Sequence, residues 1–105
     1  NDLFINRIYT EKEIEYCESR KGQKYQHYAG RFAAKEAAFK AISKILDNKY
    51  SVCWKDFEII DDEQGRPYLN LYNVNTKDIE SIDISISHCK LYATANVVIL
   101  FNDYN

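Results

Sequence analysis

The segment Gly30-Arg31-Phe32-Ala33-Ala34-Lys35-Glu36-Ala37-Ala38-Phe39-Lys40-Ala41 crowds the cations Arg31, Lys35 and Lys40 and the carboxylate Glu36 around two phenylalanines. This makes a local basic site, the raw material of anion binding, on a chain whose net charge is −2. On a helical wheel with Phe32 at zero, Phe39, Tyr28 and Leu46 fall within roughly 40°, and Glu36 lies about 40° to the other side. A carboxylate at the border of an apolar stripe is half desolvated and needs a partner, and Lys40, one turn on, is a candidate. Glu36 and Lys40 at i and i+4 also suit a plain surface ion pair, which stabilises a helix by only ~0.2–0.5 kcal/mol. His88, at the end of an apolar stretch, is either a satisfied structural residue or a ligand.

These residues need elements to hold them. Alanine and long unbranched side chains favour a helix from about Lys24 to Leu46, ended by Asp47-Asn48-Lys49. Thr10 followed by Glu13 has the form of a capping box and predicts a short helix over about Glu11 to Glu18. Trp54 to Ile60 suits a strand, 61–66 a hairpin turn, and Pro67 to Tyr72 a returning strand. Asn73 to Asp78 is a polar connection with room for a helical turn. Ile82, Ile84 and Ile86 alternate with Asp83, Ser85 and Ser87 as a half-buried strand, and it pairs through Cys89-Lys90 with the apolar run from Leu91 to Phe101. The fold class is α+β, a long helix packed on an antiparallel sheet.

Length, at 105 residues, allows one domain with a small core that oligomerisation would help. Hydrophobic residues at 46% place the chain among globular rather than disordered sequences. Nine tyrosines suggest half-buried or interfacial surfaces. A pI of 5.7 argues against nucleic acid as a bulk electrostatic partner. No apolar run reaches the ~20 residues of a membrane span, and no signal peptide is visible. Cys17, Cys53 and Cys89 lack metal-ligand spacing, so reduced thiols in a cytoplasmic protein are expected.

Gly-Arg-Phe-Ala-Ala-Lys-Glu-Ala with Phe-Lys-Ala after it resembles the signature of the holo-acyl-carrier-protein synthases, a type of phosphopantetheinyl transferase. Four further stretches follow in the family's order: 7–13, Trp54 to Ile59, Gln64-Gly65-Arg66-Pro67-Tyr68, and Ser85-Ile86-Ser87-His88 with Tyr92-Ala93. The resemblance covers nearly the whole chain and implies one phosphopantetheinyl transferase domain over 1–105. It lacks the family's N-terminal strand, which carries a metal-ligand aspartate. Asp2 sits in the wrong context for that role. The expectation is that the strand precedes Asn1 in the natural protein, and that these residues alone bind Mg²⁺ poorly.

The activity implied is Mg²⁺-dependent transfer of phosphopantetheine from coenzyme A to a serine of apo acyl carrier protein, for fatty acid synthesis. Such transfer depends on positioning and on cations. By resemblance, Glu36 is the catalytic metal ligand, and Lys40 neutralises or positions the reacting phosphate or assists the serine proton transfer. Arg31 and Phe32 are nucleotide-side contacts, Arg66-Pro67 lies against the adenine, and His88 lies near the ribose phosphate, where affinity should fall as pH rises through the imidazole range. The family's glycines after the signature are replaced by Ile42-Ser43-Lys44, so Ser43 or Lys44 substitutes for their pyrophosphate contacts. A homotrimer with active sites shared between subunits is implied, with an acidic acyl carrier protein as partner. The alternative, prompted by the missing aspartate, is a non-catalytic coenzyme-A-binding subunit.

Overall fold

Thr10 begins the ordering of the chain. Its side chain accepts from the Glu13 amide and the Glu13 carboxylate accepts from the Thr10 amide at 2.8 Å, so the capping box forms. The structure, a computed structural model, describes residues 2–102. Its elements run α1 (Asp2–Ile8), α2 (Glu11–Ser19), α3 (Lys24–Ile42), β1 (Phe57–Asp61), β2 (Pro67–Leu71), β3 (Ile79–His88) and β4 (Ala93–Phe101). Short 3₁₀ turns link α2 to α3 and α3 to β1. The α+β architecture is as expected, with α3 against two antiparallel ladders, β1–β2 and β3–β4.

Four local readings change. Trp54–Asp56, read as the start of a strand, forms a 3₁₀ turn, and β1 begins at Phe57. A helix at Asp2–Ile8 was not anticipated. The long helix stops at Ile42 rather than Leu46, and Ser43–Ile45 tightens into a 3₁₀ turn. There the Ser43 hydroxyl donates to the Lys40 carbonyl at 2.9 Å, a local bond that competes with continued helix. Asn73 to Asp78 holds no helix. Asn73 instead takes a left-handed conformation at φ 59°, with its side chain donating to Asp56.

The hairpin between β1 and β2 follows its sequence. Asp62 Oδ1 accepts from the amides of Gln64 and Arg66, and Gly65 supplies φ 82°. In β3–β4, Ile84 pairs with Val97 and Ile82 with Ile99, which puts one apolar face toward α3 and leaves Asp83, Ser85 and Asn96 exposed. The core divides along α3. Ile8, Tyr9, Cys17 and Tyr28 form one cluster with α1 and α2, while Ala38, Ile42 and Phe57 form another under the strands.

Between the clusters lies a buried ion pair. Lys35 and Glu13, 0% and 1% exposed, meet at 2.7 Å. Lys35 also donates to the carbonyls of Phe57 at 2.6 Å and Trp54 at 3.1 Å, so its ammonium has a partner for each proton. The second Glu13 oxygen accepts from the Ile59 amide at 2.8 Å. Burial pushes the Lys35 pKa down, and the Glu13 carboxylate pulls it back. Lys35 is therefore not part of a surface basic site, as the cation spacing had suggested; it ties α3 to α2 and β1.

Replacing Lys35 with Met strands the Glu13 charge in the interior, and urea unfolding is expected to show a loss of about 3–5 kcal/mol. A loss below about 1 kcal/mol would mean the pair is dispensable. Gly30 sets how closely α3 approaches β3, because a Cβ there would sit 3.0 Å from Ile86 Cγ2 and 3.5 Å from His88 Cδ2. Gly30→Ala should cost up to about 2 kcal/mol in the same assay, since the crowding of Ile86, ~1–3 kcal/mol, is partly offset by about 1 kcal/mol of helix propensity; a gain in stability would mean that Ile86 yields freely.

Candidate functional site

Close approach at Gly30 creates a small polar cavity of about 150 Å³ where α2, α3, the β1–β2 hairpin and β3 converge. Arg31 forms its floor. Buried at 4% exposure, its guanidinium lies 4.0 Å from the centroid of the Tyr16 ring and only 3.6 Å from Asp61 Oδ1. Arg31 Nε is buried and has no hydrogen-bond partner among the described residues. A buried guanidinium N–H without a partner is costly.

His88 projects into the same cavity from the end of β3, and Gly65 and Pro67 bring the hairpin turn to its rim. His88 Nδ1 lies 3.2 Å from Gln26 Oε1. With a carbonyl oxygen there, Nδ1 is the donor, and Nε2 carries a hydrogen only in the imidazolium form. Thus Arg31, Pro67 and His88, chosen from sequence as nucleotide contacts, meet in one place.

His27 completes the cavity and was not singled out from the sequence. Its ring packs edge-on to His88 with centroids 4.8 Å apart, and to Tyr16 at 5.3 Å. Burial lowers the His27 pKa, the neighbouring His88 adds to this, and Arg31 and Arg20 push the same way. The signal was available: His27 and Arg31 stand at i and i+4 and share a helix face.

The remaining candidates lie elsewhere. Phe32 packs on Trp54 with centroids 5.2 Å apart, at the edge of the α1–α2 cluster. Arg66 is exposed in the turn and holds Asp62 through its backbone amide. Ser43 is exposed and bonds back to its own helix. Glu36 and Lys40 are both exposed, and among the described residues no ion pair joins them. The half-desolvated carboxylate paired with Lys40 is therefore not what forms. At about 100° per residue, Lys40 stands about 180° around α3 from Arg31, and Glu36 about 140°. One copy of the chain thus turns the Arg31–His88 cavity and the Glu36–Lys40 pair to different sides of the same helix.

No group of three or more His, Cys, Asp or Glu side chains among the described residues is arranged to hold a metal. A Mg²⁺ site can take a single protein carboxylate and complete its shell with phosphate oxygens and water, and Glu36 is an exposed carboxylate open to that use. All three cysteines are free, and burial pushes the Cys17 thiol up to about 12. No helix is long and apolar enough to cross a membrane, among the described residues.

Comparison with known proteins gives a consistent picture. The holo-[acyl-carrier-protein] synthase of Ruminiclostridium cellulolyticum is 42% identical over 105 residues, covering 95% of this chain and 77% of its own length. That of Protochlamydia amoebophila is 43% identical over 97 residues, covering 90% and 77%. Among solved structures, Helicobacter pylori holo-[acyl-carrier-protein] synthase in complex with coenzyme A superposes with a TM-score of 0.77 at 29% identity, over 93% of this chain and 82% of that one. The Bacillus anthracis enzyme in complex with CoA (3',5'-ADP) gives 0.76 at 35% identity, over 97% and 83%. A family model for the 4'-phosphopantetheinyl transferase superfamily matches residues 1–99. With a family model over residues 1–99 and relatives of this likeness along nearly its whole length, the chain belongs to the 4'-phosphopantetheinyl transferase superfamily.

Proposed function

We propose that the chain is a holo-acyl-carrier-protein synthase, which moves phosphopantetheine from coenzyme A to a serine of apo acyl carrier protein and so supplies the holo carrier for fatty acid synthesis. The observation that carries this reading is the cavity around Arg31, with its buried unpartnered Nε, in a chain of this family. In the transfer, the serine oxygen bonds to the phosphorus that bears pantetheine, the diphosphate bridge breaks, and 3',5'-ADP departs with the bridging oxygen. Arg31 and His88 grip the nucleotide's ribose phosphate, and Pro67, with Arg66 beside it, flanks the base. Phe32 acts indirectly, by packing the helix that carries Arg31.

Glu36 and Lys40 serve the reacting diphosphate. Lys40, exposed and without a paired carboxylate, meets a phosphate oxygen with its ammonium and neutralises charge as the bond breaks. Ser43, one turn on at the end of α3, reaches the same phosphates by exchanging its hydroxyl's bond to the Lys40 carbonyl for one to a phosphate oxygen. Glu36 would hold Mg²⁺ through its carboxylate, and Mg²⁺ when bound would draw charge from the diphosphate oxygens.

Because Arg31 and Lys40 point to opposite sides of α3, both ends of one coenzyme A are served only if two copies meet across it. This supports a homotrimer whose sites are shared, each taking the Arg31–His88 cavity from one copy and Glu36 with Lys40 from its neighbour. The three free cysteines fit a reducing, cytoplasmic setting.

Incubation with apo carrier protein, coenzyme A and Mg²⁺, followed by mass spectrometry of the carrier, tests the activity. The carrier should gain one phosphopantetheine, and Glu36→Gln should slow the gain at least about a hundredfold. Coenzyme A binding that is indifferent to Mg²⁺, with no mass gain, would point to the non-catalytic binding subunit instead. The shared site has its own test. When His88→Ala and Glu36→Gln, each nearly inactive, are mixed and reassembled, about a quarter of the sites should regain both intact halves. No recovery on mixing would place both halves in one copy.

A further inference from the structure

We propose that His27 is a further nucleotide-binding residue, which joins His88 and Arg31 in a cradle that reads the phosphate on the coenzyme A ribose. The inference rests on the proposed function and adds a residue and a proton to it.

The geometry places His27 inside the Arg31–His88 cavity, edge-on to His88 at 4.8 Å and backed by Tyr16 at 5.3 Å. Both imidazoles stand beside a buried arginine that has an N–H to spare. The cavity, about 150 Å³, holds roughly five waters when empty of ligand, or one tetrahedral phosphate. Two rings held this close resist carrying two charges while no anion is present. A phosphate dianion beside the contacting rings reverses the balance for His27, because its imidazolium then gains an opposite charge and a charge-assisted hydrogen bond.

The groups facing His27 settle the sign. Tyr16 and Arg20 approach from the α2 side, Arg31 from α3, His88 from β3 and Asp61 from the hairpin. Of these, only Asp61 favours the charged ring, and Arg31 already lies beside it at 3.6 Å. In the free protein His27 therefore titrates below the ordinary imidazole value of 6.5. Binding must raise it, so the complex takes up protons, and affinity for a phosphorylated ribose falls as pH rises through the imidazole range. A ligand without that phosphate offers no such linkage.

Calorimetric titration of the whole chain with coenzyme A and with 3'-dephospho-coenzyme A, near pH 6.5 and in two buffers of different ionisation enthalpy, tests this. The unmodified protein should take up protons with coenzyme A and fewer with the dephospho ligand. His27→Phe keeps an aromatic ring against Tyr16; it should weaken coenzyme A about tenfold, reduce the proton uptake and leave the dephospho ligand unchanged. Equal weakening of both ligands, or of neither, would overturn the role of His27. Should His27→Phe unfold, His27→Gln and the proton uptake of the unmodified protein decide instead, and equal uptake with the two ligands overturns the proposal. If the unmodified protein binds neither ligand, the proposed function itself fails; if it binds coenzyme A and His27→Phe matches it, only this inference fails.

Discussion

One buried carboxylate holds the elements in register. Glu13 closes the cap of α2, accepts a hydrogen bond from the Lys35 ammonium of α3 and accepts the Ile59 amide of β1, all from a side chain with almost no solvent contact. Lys35 in turn collects the carbonyls of Trp54 and Phe57, where the chain enters β1. Isolated, either charge would be strongly destabilising in that interior. Together, with every proton and at least one lone pair of each oxygen engaged, they fix geometry more than they add stability. The pair sets the rotation of α3, and the rotation of α3 decides which way every functional side chain faces.

From that rotation follows the division of labour around the helix. The side that meets β3 must be small at Gly30 and carries Arg31 under the sheet edge, while the opposite side shows Glu36 and Lys40 to solvent. Coenzyme A is long, with charge at the ribose phosphate and again at the diphosphate. A helix cannot bring two faces about 180° apart to one small molecule, whereas a neighbouring copy can. A small domain with few fully buried apolar side chains gains from the same contact.

Much of this was legible in the sequence, and the failures have physical causes. The capping box, the Asp62–Gly65 turn and the alternation of Ile82, Ile84 and Ile86 are local patterns, and they formed where local rules place them. Arg31, Pro67 and His88, distant in sequence, line one cavity, whereas Phe32, Arg66, Ser43 and Lys40 do not line it. Lys35 was misread because charge in a helical segment is ordinarily a solvent signal, and its partner Glu13 lies beyond the reach of helical periodicity. Glu36 was assigned a partner that it does not take, since an i, i+4 spacing permits an ion pair without requiring one. His27 shares a helix face with Arg31, which was legible, but nothing local shows that His88 from a distant strand will face it.

The chain's acidity does not oppose its binding an anion, and the reason lies in where the charges are. Net charge acts through solvent and fades beyond about a Debye length, roughly 8–10 Å in physiological salt. Arg31 works inside that distance, itself buried against the Tyr16 ring, where screening is weaker than in bulk solvent. Asp61 tempers the arginine at 3.6 Å without satisfying it, which leaves the guanidinium soluble in the fold yet short of one hydrogen bond. Imidazoles suit the rest of such a site better than lysines would, because they can remain neutral while the cavity is empty and become cations when the phosphate arrives. Permanent cations there would repel Arg31 throughout the life of the free protein. A charge that burial and Arg31 disfavour on His27, until a ligand brings its own negative charge, keeps the empty site compatible with a small, marginal core.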